Sequence, residues 1–162
     1  MPTPFIGPPD EMAGLTMFLD SQREAILRKV EGLSDEQAKC VPTASSLSLF
    51  SIVKHLAFVE RRWFQNAVAG NEIPGLWPPA DPAEELEVRE GDTIESVRAL
   101  YEQRIAESQA ITAEVADPDA SAHPADIGLN LRWILLHMIE ETARHAGHAD
   151  LIRETIDGSK GA

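Results

Sequence analysis

The sequence predicts an all-α protein, a four-helix bundle with long crossover loops. Apolar residues recur every three or four positions in four long segments, which is the period of an amphipathic helix. No segment shows the strict alternation of apolar and polar residues that is typical of a half-buried strand. The connections between the segments are rich in Gly, Pro and Ser. Helices that each bury one apolar stripe pack most simply against one another as a bundle.

The first helix is expected to begin after Asp10, whose side chain can cap it, and to end near Glu31. Residues 1–9 precede it and contain four prolines, so they are predicted to form an irregular N-terminal arm. Ser34 and Gln37 follow with the spacing of a capping box, which predicts one further short helix.

The second helix is predicted from about Ser48 to Ala69. His55 lies on its apolar face, because it keeps the helical spacing of the neighbouring apolar residues Ile52, Leu56, Val59 and Trp63. The connection 71–91 then contains four prolines. A loop of that length inside a compact domain is uncommon and usually functional or disordered. Trp77, which stands among the prolines, predicts an ordered flap that shapes a substrate or cofactor pocket.

The third helix is expected from Thr93 to about Val115, where Asp117-Pro118 stops it. Asn130 can cap the fourth helix, which should end near Ile156 with a glycine just beyond it. These boundaries complete the set of four long helices.

The fourth helix bears four titratable residues on one side: His137, Glu141, His145 and His148. At about 100° per residue they fall within an arc of roughly 80°. Apolar residues share or border this arc, so we expect the four side chains along the inward face. An unpaired buried charge is costly, and these groups must therefore be neutral, hydrogen-bonded or bound to a metal ion.

The spacing of Glu141 and His145 lets them bind one ion together, and His55 is the natural third ligand from the facing helix. Two imidazoles and one carboxylate suit Zn²⁺, Ni²⁺ or Fe²⁺, and three protein ligands leave a position for water or substrate. His137 and His148 flank the pair and could serve as outer partners or as a general base. A hydrogen-bonded histidine core without metal is the alternative.

Composition excludes several other classes of protein. The formal net charge of −13 argues against partners that need clustered basic residues, namely nucleic acids and anionic membranes. A single cysteine, Cys40, excludes an intramolecular disulfide. Neither a signal peptide nor a membrane span is visible. We therefore expect a cytoplasmic protein with residues 1–162 in a single domain.

Two motifs resemble the DinB-like superfamily of metalloenzymes: LFSIVKHLAFVERRWF in the second helix and LRWILLHMIEETARHAGHADLIRE in the fourth. The chain looks most like a small actinobacterial branch related to the metal-binding domain of mycothiol-dependent maleylpyruvate isomerase. The resemblance covers nearly the whole chain and implies a four-helix bundle, often dimeric, whose divalent metal activates a low-molecular-weight thiol. Carried over by motif, the metal ligands are His55, Glu141 and His145. Many superfamily members have His where Glu141 stands, and Glu favours the thiol-cofactor relatives.

The expected function is therefore metal-dependent S-transfer or isomerisation that uses a small-molecule thiol and an electrophile, with mycothiol implied by the resemblance alone. His148 or His137 would handle the proton, while Trp77 and Arg144 would contact the cofactor or substrate. By analogy we also expect a homodimer. Three alternatives stay open: a hydrolase whose metal activates water, a non-catalytic small-molecule-binding or stress-response bundle, and non-haem iron oxygenation.

Overall fold

The computed structural model describes residues 10–76 and 82–161, and within these ranges the chain is all-α, as predicted. None of the helices in these ranges combines the length and apolar character that a membrane span needs. The described α-helices are α1 (Glu11–Val30), α2 (Asp35–Lys39), α3 (Leu49–Glu60), α4 (Ile94–Val115) and α5 (Leu131–Asp157). A π-helix (Arg61–Val68) and two 3₁₀ helices (Pro82–Glu85 and Ala125–Ile127) complete the helical elements of the described chain.

Side chains at the ends of the preceding loops cap the first turns of the helices. Asp10 and Asn130 each accept a hydrogen bond from a backbone N–H in the first turn of α1 and α5. Ser34 and Gln37 form the predicted capping box of α2, and Thr93 caps α4. Such caps satisfy backbone donors that have no partner inside the helix. The predicted starts of these helices are therefore confirmed.

The long helices pack as a bundle in which α1 lies mainly against α5 and α3 against α4, while α3 also faces α5. The core consists of two apolar clusters stacked along the bundle. Large, fully buried members include Phe50, Leu56 and Tyr101 in one cluster and Leu19, Phe64 and Met138 in the other. The inner faces of α3 and α5 contribute to both clusters, so side chains midway along these two helices lie where the clusters meet.

The predicted helix from Ser48 to Ala69 is continuous, but its second half is a π-helix. At its C-terminal end the Ala69 N–H donates to the Phe64 carbonyl five residues earlier, at 2.9 Å. Apolar spacing did not reveal the change, because eight residues are too few to distinguish the wider turn of a π-helix from the 3.6-residue turn of an α-helix. π-Helical segments are often found at functional sites. Here the segment contains Arg62 and Trp63.

A buried ion pair marks the start of this π-helix. Arg23 of α1 binds Glu60 in a bidentate manner, with Nε–Oε1 and Nη2–Oε2 distances of 2.7 Å. Asp20 accepts a further hydrogen bond from Arg23 Nη1 at 2.8 Å. Both members of the bidentate pair are buried, with exposed fractions of 4% for Arg23 and 0% for Glu60. The ion pair therefore links α1 to the junction of α3 and the π-helix.

Candidate metal centre

The three predicted ligands converge where α3 faces α5. His55 Nε2 lies 3.1 Å from Glu141 Oε1, and His145 Nε2 lies 3.2 Å from the same oxygen. One potential ligand atom from each residue lies within 4.8 Å of the other two. Glu141 and His145 are one turn apart on α5, as their spacing predicts, whereas His55 reaches them only through the packing of α3 on α5.

This geometry fits a divalent transition-metal ion. Ligand atoms bound tetrahedrally at about 2.1 Å lie roughly 3.4 Å apart, close to the separations between the imidazoles and the carboxylate. The side chains of His55, Glu141 and His145 are 20%, 15% and 12% exposed, so the cluster is half-buried and solvent reaches it. Two imidazoles and one carboxylate form a donor set suited to Zn²⁺, Ni²⁺ or Fe²⁺. Three protein ligands would leave a coordination position for a small molecule.

Hydrogen bonds within the cluster shift the pKa values of Glu141 and His55. Those donated by His145 and His55 hold the pKa of Glu141 well below its usual range, despite partial burial. For His55, burial lowers the pKa, but the hydrogen bonds to Glu141 and Glu85 outweigh it and raise the pKa to about 9. Without metal, His55 is therefore an imidazolium between two carboxylates at neutral pH.

Glu85 is the residue of this site that sequence reasoning missed. It ends the short 3₁₀ helix Pro82–Glu85 in the connection 71–91, and its Oε2 lies 3.2 Å from His55 Nδ1. Its other carboxylate oxygen accepts a hydrogen bond from Arg62 of the π-helix. No periodic pattern in the loop distinguishes Glu85 from its neighbours. The unusual length of the connection was the one available signal that it had a function.

Arg144, predicted to contact the cofactor, is exposed and lies beside the cluster. Its guanidinium pairs with Glu140, and its Nη1 lies 3.2 Å from Glu141 Oε2. Arg144 therefore contacts the candidate carboxylate ligand on the oxygen that does not face the histidines. Trp77, the other residue predicted to bind the cofactor, lies outside the described residues.

The four titratable residues of α5, His137, Glu141, His145 and His148, border the buried face of the helix, whereas we expected them to lie within that face. The buried residues of α5 centre on Met138, Thr142 and Ala149. At about 100° per residue, His145 is closest to this centre, while His137 and His148 lie farthest from it. Accordingly His148 is exposed and His137 only half-buried.

The two flanking histidines have different surroundings. The His148 ring lies 5.7 Å from the His145 ring, next to the candidate site. The His137 ring instead stacks on Trp133 at 5.2 Å and meets Trp63 edge-on at 4.8 Å. His137 thus belongs to an aromatic cluster that joins the π-helix to the start of α5.

The raised pKa of His55 predicts how the stability of the metal-free protein depends on pH. An unfolded His titrates near pH 6.5 and folded His55 near pH 9. Its stabilisation is therefore fully present below pH 6.5 and lost as the pH rises through 9. We expect the free energy of unfolding to fall by up to about 3 kcal/mol over this range. Urea unfolding at a series of pH values in the presence of a chelator measures this free energy. If it falls as steeply with pH in His55→Gln as in the wild type, the pH dependence does not come from His55.

Comparison with known proteins identifies a family. A family model described as mycothiol S-transferase matches residues 14–158, which include nearly all of α1, the whole of α5 and the three candidate ligands. This is a DinB-like family related to mycothiol-dependent enzymes, so the match confirms the resemblance seen in the sequence. No curated protein matches the chain.

Proposed function

Because the chain belongs to the mycothiol S-transferase family, we propose that it is a metal-dependent enzyme that transfers a low-molecular-weight thiol, mycothiol or a close relative, to an electrophile. The observation that supports this most strongly is the convergence of two imidazoles and one carboxylate at the contact of α3 and α5. A homodimer and a cytoplasmic location stay predictions from the sequence.

His55, Glu141 and His145 would hold a divalent ion, and a thiol that coordinated such an ion would be present as the thiolate nucleophile at neutral pH. Glu141 is already ionised in the metal-free protein and contributes a negative charge to the site. The partial exposure of all three side chains gives the thiol access to the position that they leave open.

His148 is the better placed of the two candidate proton acceptors. It is exposed and its ring contacts that of His145, so it can accept the proton that leaves the thiol and release it to solvent. The thiolate would then attack the electrophilic carbon and form the new C–S bond. In a haloarene the carbon–halogen bond breaks and halide leaves with its electron pair. In an epoxide or an activated alkene the C–O or C=C π bond opens, and the anion that results takes a proton from solvent. His137 is the second candidate, although its ring faces tryptophans.

Arg144 would orient an anionic group of the thiol or the electrophile. Its guanidinium is exposed, and its present partners Glu140 and Glu141 lie on its own helix. A surface ion pair of this kind contributes little free energy, so an incoming carboxylate or phosphate can replace Glu140 at small cost. For Trp77, contact with the thiol or the electrophile stays a prediction from the sequence.

The proposal is tested by reconstituting the purified protein separately with Zn²⁺, Ni²⁺ and Fe²⁺. Each form is incubated with mycothiol and a panel of haloarenes, epoxides and activated alkenes, and S-conjugates are detected by mass spectrometry. We expect conjugates that require both the metal and the thiol. Conjugate levels no higher than in chelator-treated controls, in a protein that has bound its metal, would contradict thiol transfer. Cleavage of an ester or amide without thiol would favour the hydrolase alternative.

A further inference from the structure

We propose that Glu85 is a positioning residue that orients His55 for metal binding and makes the 3₁₀ helix Pro82–Glu85 part of the metal site. The inference rests on the proposed metal site. It adds Glu85 to that site, from a loop that contains none of the three candidate ligands. Its basis is a chain of contacts from the loop through Glu85 to the ring of His55.

The first step concerns the two nitrogens of the His55 ring. Nδ1 lies 3.2 Å from Glu85 Oε2, and Nε2 lies 3.1 Å from Glu141 Oε1. An ionised carboxylate only accepts hydrogen bonds, so Glu85 keeps the proton on Nδ1 and leaves Nε2 to face the metal position. A carboxylate in this role fixes the ring orientation and raises the basicity of the ligating nitrogen. By contrast, the buried Nδ1 of His145 has no hydrogen-bond partner among the described residues.

The second step concerns what holds Glu85 in place. Its side chain is 8% exposed, and a buried carboxylate needs charged or hydrogen-bonding partners. Arg62 supplies a guanidinium to Glu85 and also donates from Nε to the Leu76 carbonyl at 3.2 Å. Arg62 therefore contacts the connection on both sides of residues 77–81.

The third step concerns the segment that follows Glu85. Lys54, the neighbour of His55 on α3, donates to the Glu87 carbonyl at 2.6 Å and pairs with Asp92 at 3.5 Å. The loop is thus attached to α3 and to the π-helix at points that surround Glu85. The carboxylate that contacts His55 is held from both directions along the chain.

These contacts imply a thermodynamic coupling between the loop and the metal. Loss of an outer hydrogen-bonding partner of a metal ligand typically weakens metal affinity by about 10–100-fold. Such coupling is reciprocal. If contact between Glu85 and His55 raises the metal affinity by some factor, bound metal raises the equilibrium constant for that contact by the same factor. Bound metal should therefore slow local opening of the segment around Glu85.

The experiment compares metal dissociation constants of the wild type, Glu85→Ala, Glu85→Gln and Glu84→Ala, by competition with a chromophoric chelator. Glu84 is the matched control, because it is the adjacent carboxylate but pairs with exposed Arg89. We expect a roughly 10–100-fold weaker affinity for Glu85→Ala, an intermediate value for Glu85→Gln, which keeps an acceptor, and no change for Glu84→Ala. Thermal melting of the metal-free forms verifies that each variant is folded.

Hydrogen exchange on the wild type provides a test that needs no variant. Saturating Zn²⁺ should slow amide exchange in residues 85–92 by up to the same factor, relative to metal-free protein. A Glu85→Ala variant that binds metal as tightly as the wild type, or an exchange rate that metal leaves unchanged, would overturn the inference but not the proposed function. A wild type that binds no metal would overturn both.

Discussion

Replacement of His145 by alanine is expected to abolish metal binding and, with it, thiol transfer. The substitution leaves two donors, His55 and Glu141, on different helices, and two ligands form no closed transition-metal site of the usual kind. Loss of an outer partner already costs about 10–100-fold in affinity, so loss of a direct ligand should cost more than about 100-fold. The same reasoning predicts equal losses for His55→Ala and Glu141→Ala.

The measurement is metal content by mass spectrometry on untagged protein that has been equilibrated with Zn²⁺, Ni²⁺ or Fe²⁺. His123→Ala is the matched control, since His123 is an exposed histidine that lies against Gly70 and is not part of the cluster. We expect near-stoichiometric metal in the wild type and in the control, and none in the three ligand variants. Equal metal in wild type and His145→Ala would refute the assignment of the site.

The largest expected effect on stability is that of Glu60→Ala. Glu60 is fully buried and binds Arg23 through both carboxylate oxygens. Its removal leaves Asp20 as the remaining ion-pair partner of the buried Arg23 guanidinium among the described residues. Breaking a buried ion pair by removing one partner typically costs about 3–5 kcal/mol, because the other charge stays uncompensated. We therefore expect a loss of this size in the free energy of unfolding, measured by urea denaturation.

Two further variants separate the buried charge from simple loss of contacts. Asp20→Ala removes the half-exposed partner of Arg23 and should cost no more than about 1 kcal/mol. The double variant Arg23→Met/Glu60→Met replaces the whole pair with apolar side chains, and we expect it to regain most of the stability. If Glu60→Ala unfolds at the same urea concentration as Asp20→Ala, the pair contributes far less than its burial indicates.

Local chemistry accounts for the parts of the molecule that could be predicted from the chain alone. Side chains such as Asp10 and Asn130 cap the turn beside them, and helical periodicity places Glu141 and His145 on one side of α5 whatever surrounds the helix. His55 was likewise placed on the apolar face of its helix. The helix starts, the all-α class and the composition of the candidate ligand set were therefore predictable.

The remaining features depend on contacts between residues far apart in the chain. Periodicity could not distinguish the π-helix from an α-helix, because the segment of eight residues is too short to define its period. Nor could it show that Glu85 approaches His55, since a loop carries no repeating pattern and its path depends on partners such as Arg62. The surroundings of His137 and His148 differ because the packing of Trp63 and Trp133 covers one of them and leaves the other exposed. Side-chain periodicity is a local property of the backbone, whereas the meeting of α3, α5 and the 3₁₀ helix Pro82–Glu85 is a property of the packed bundle.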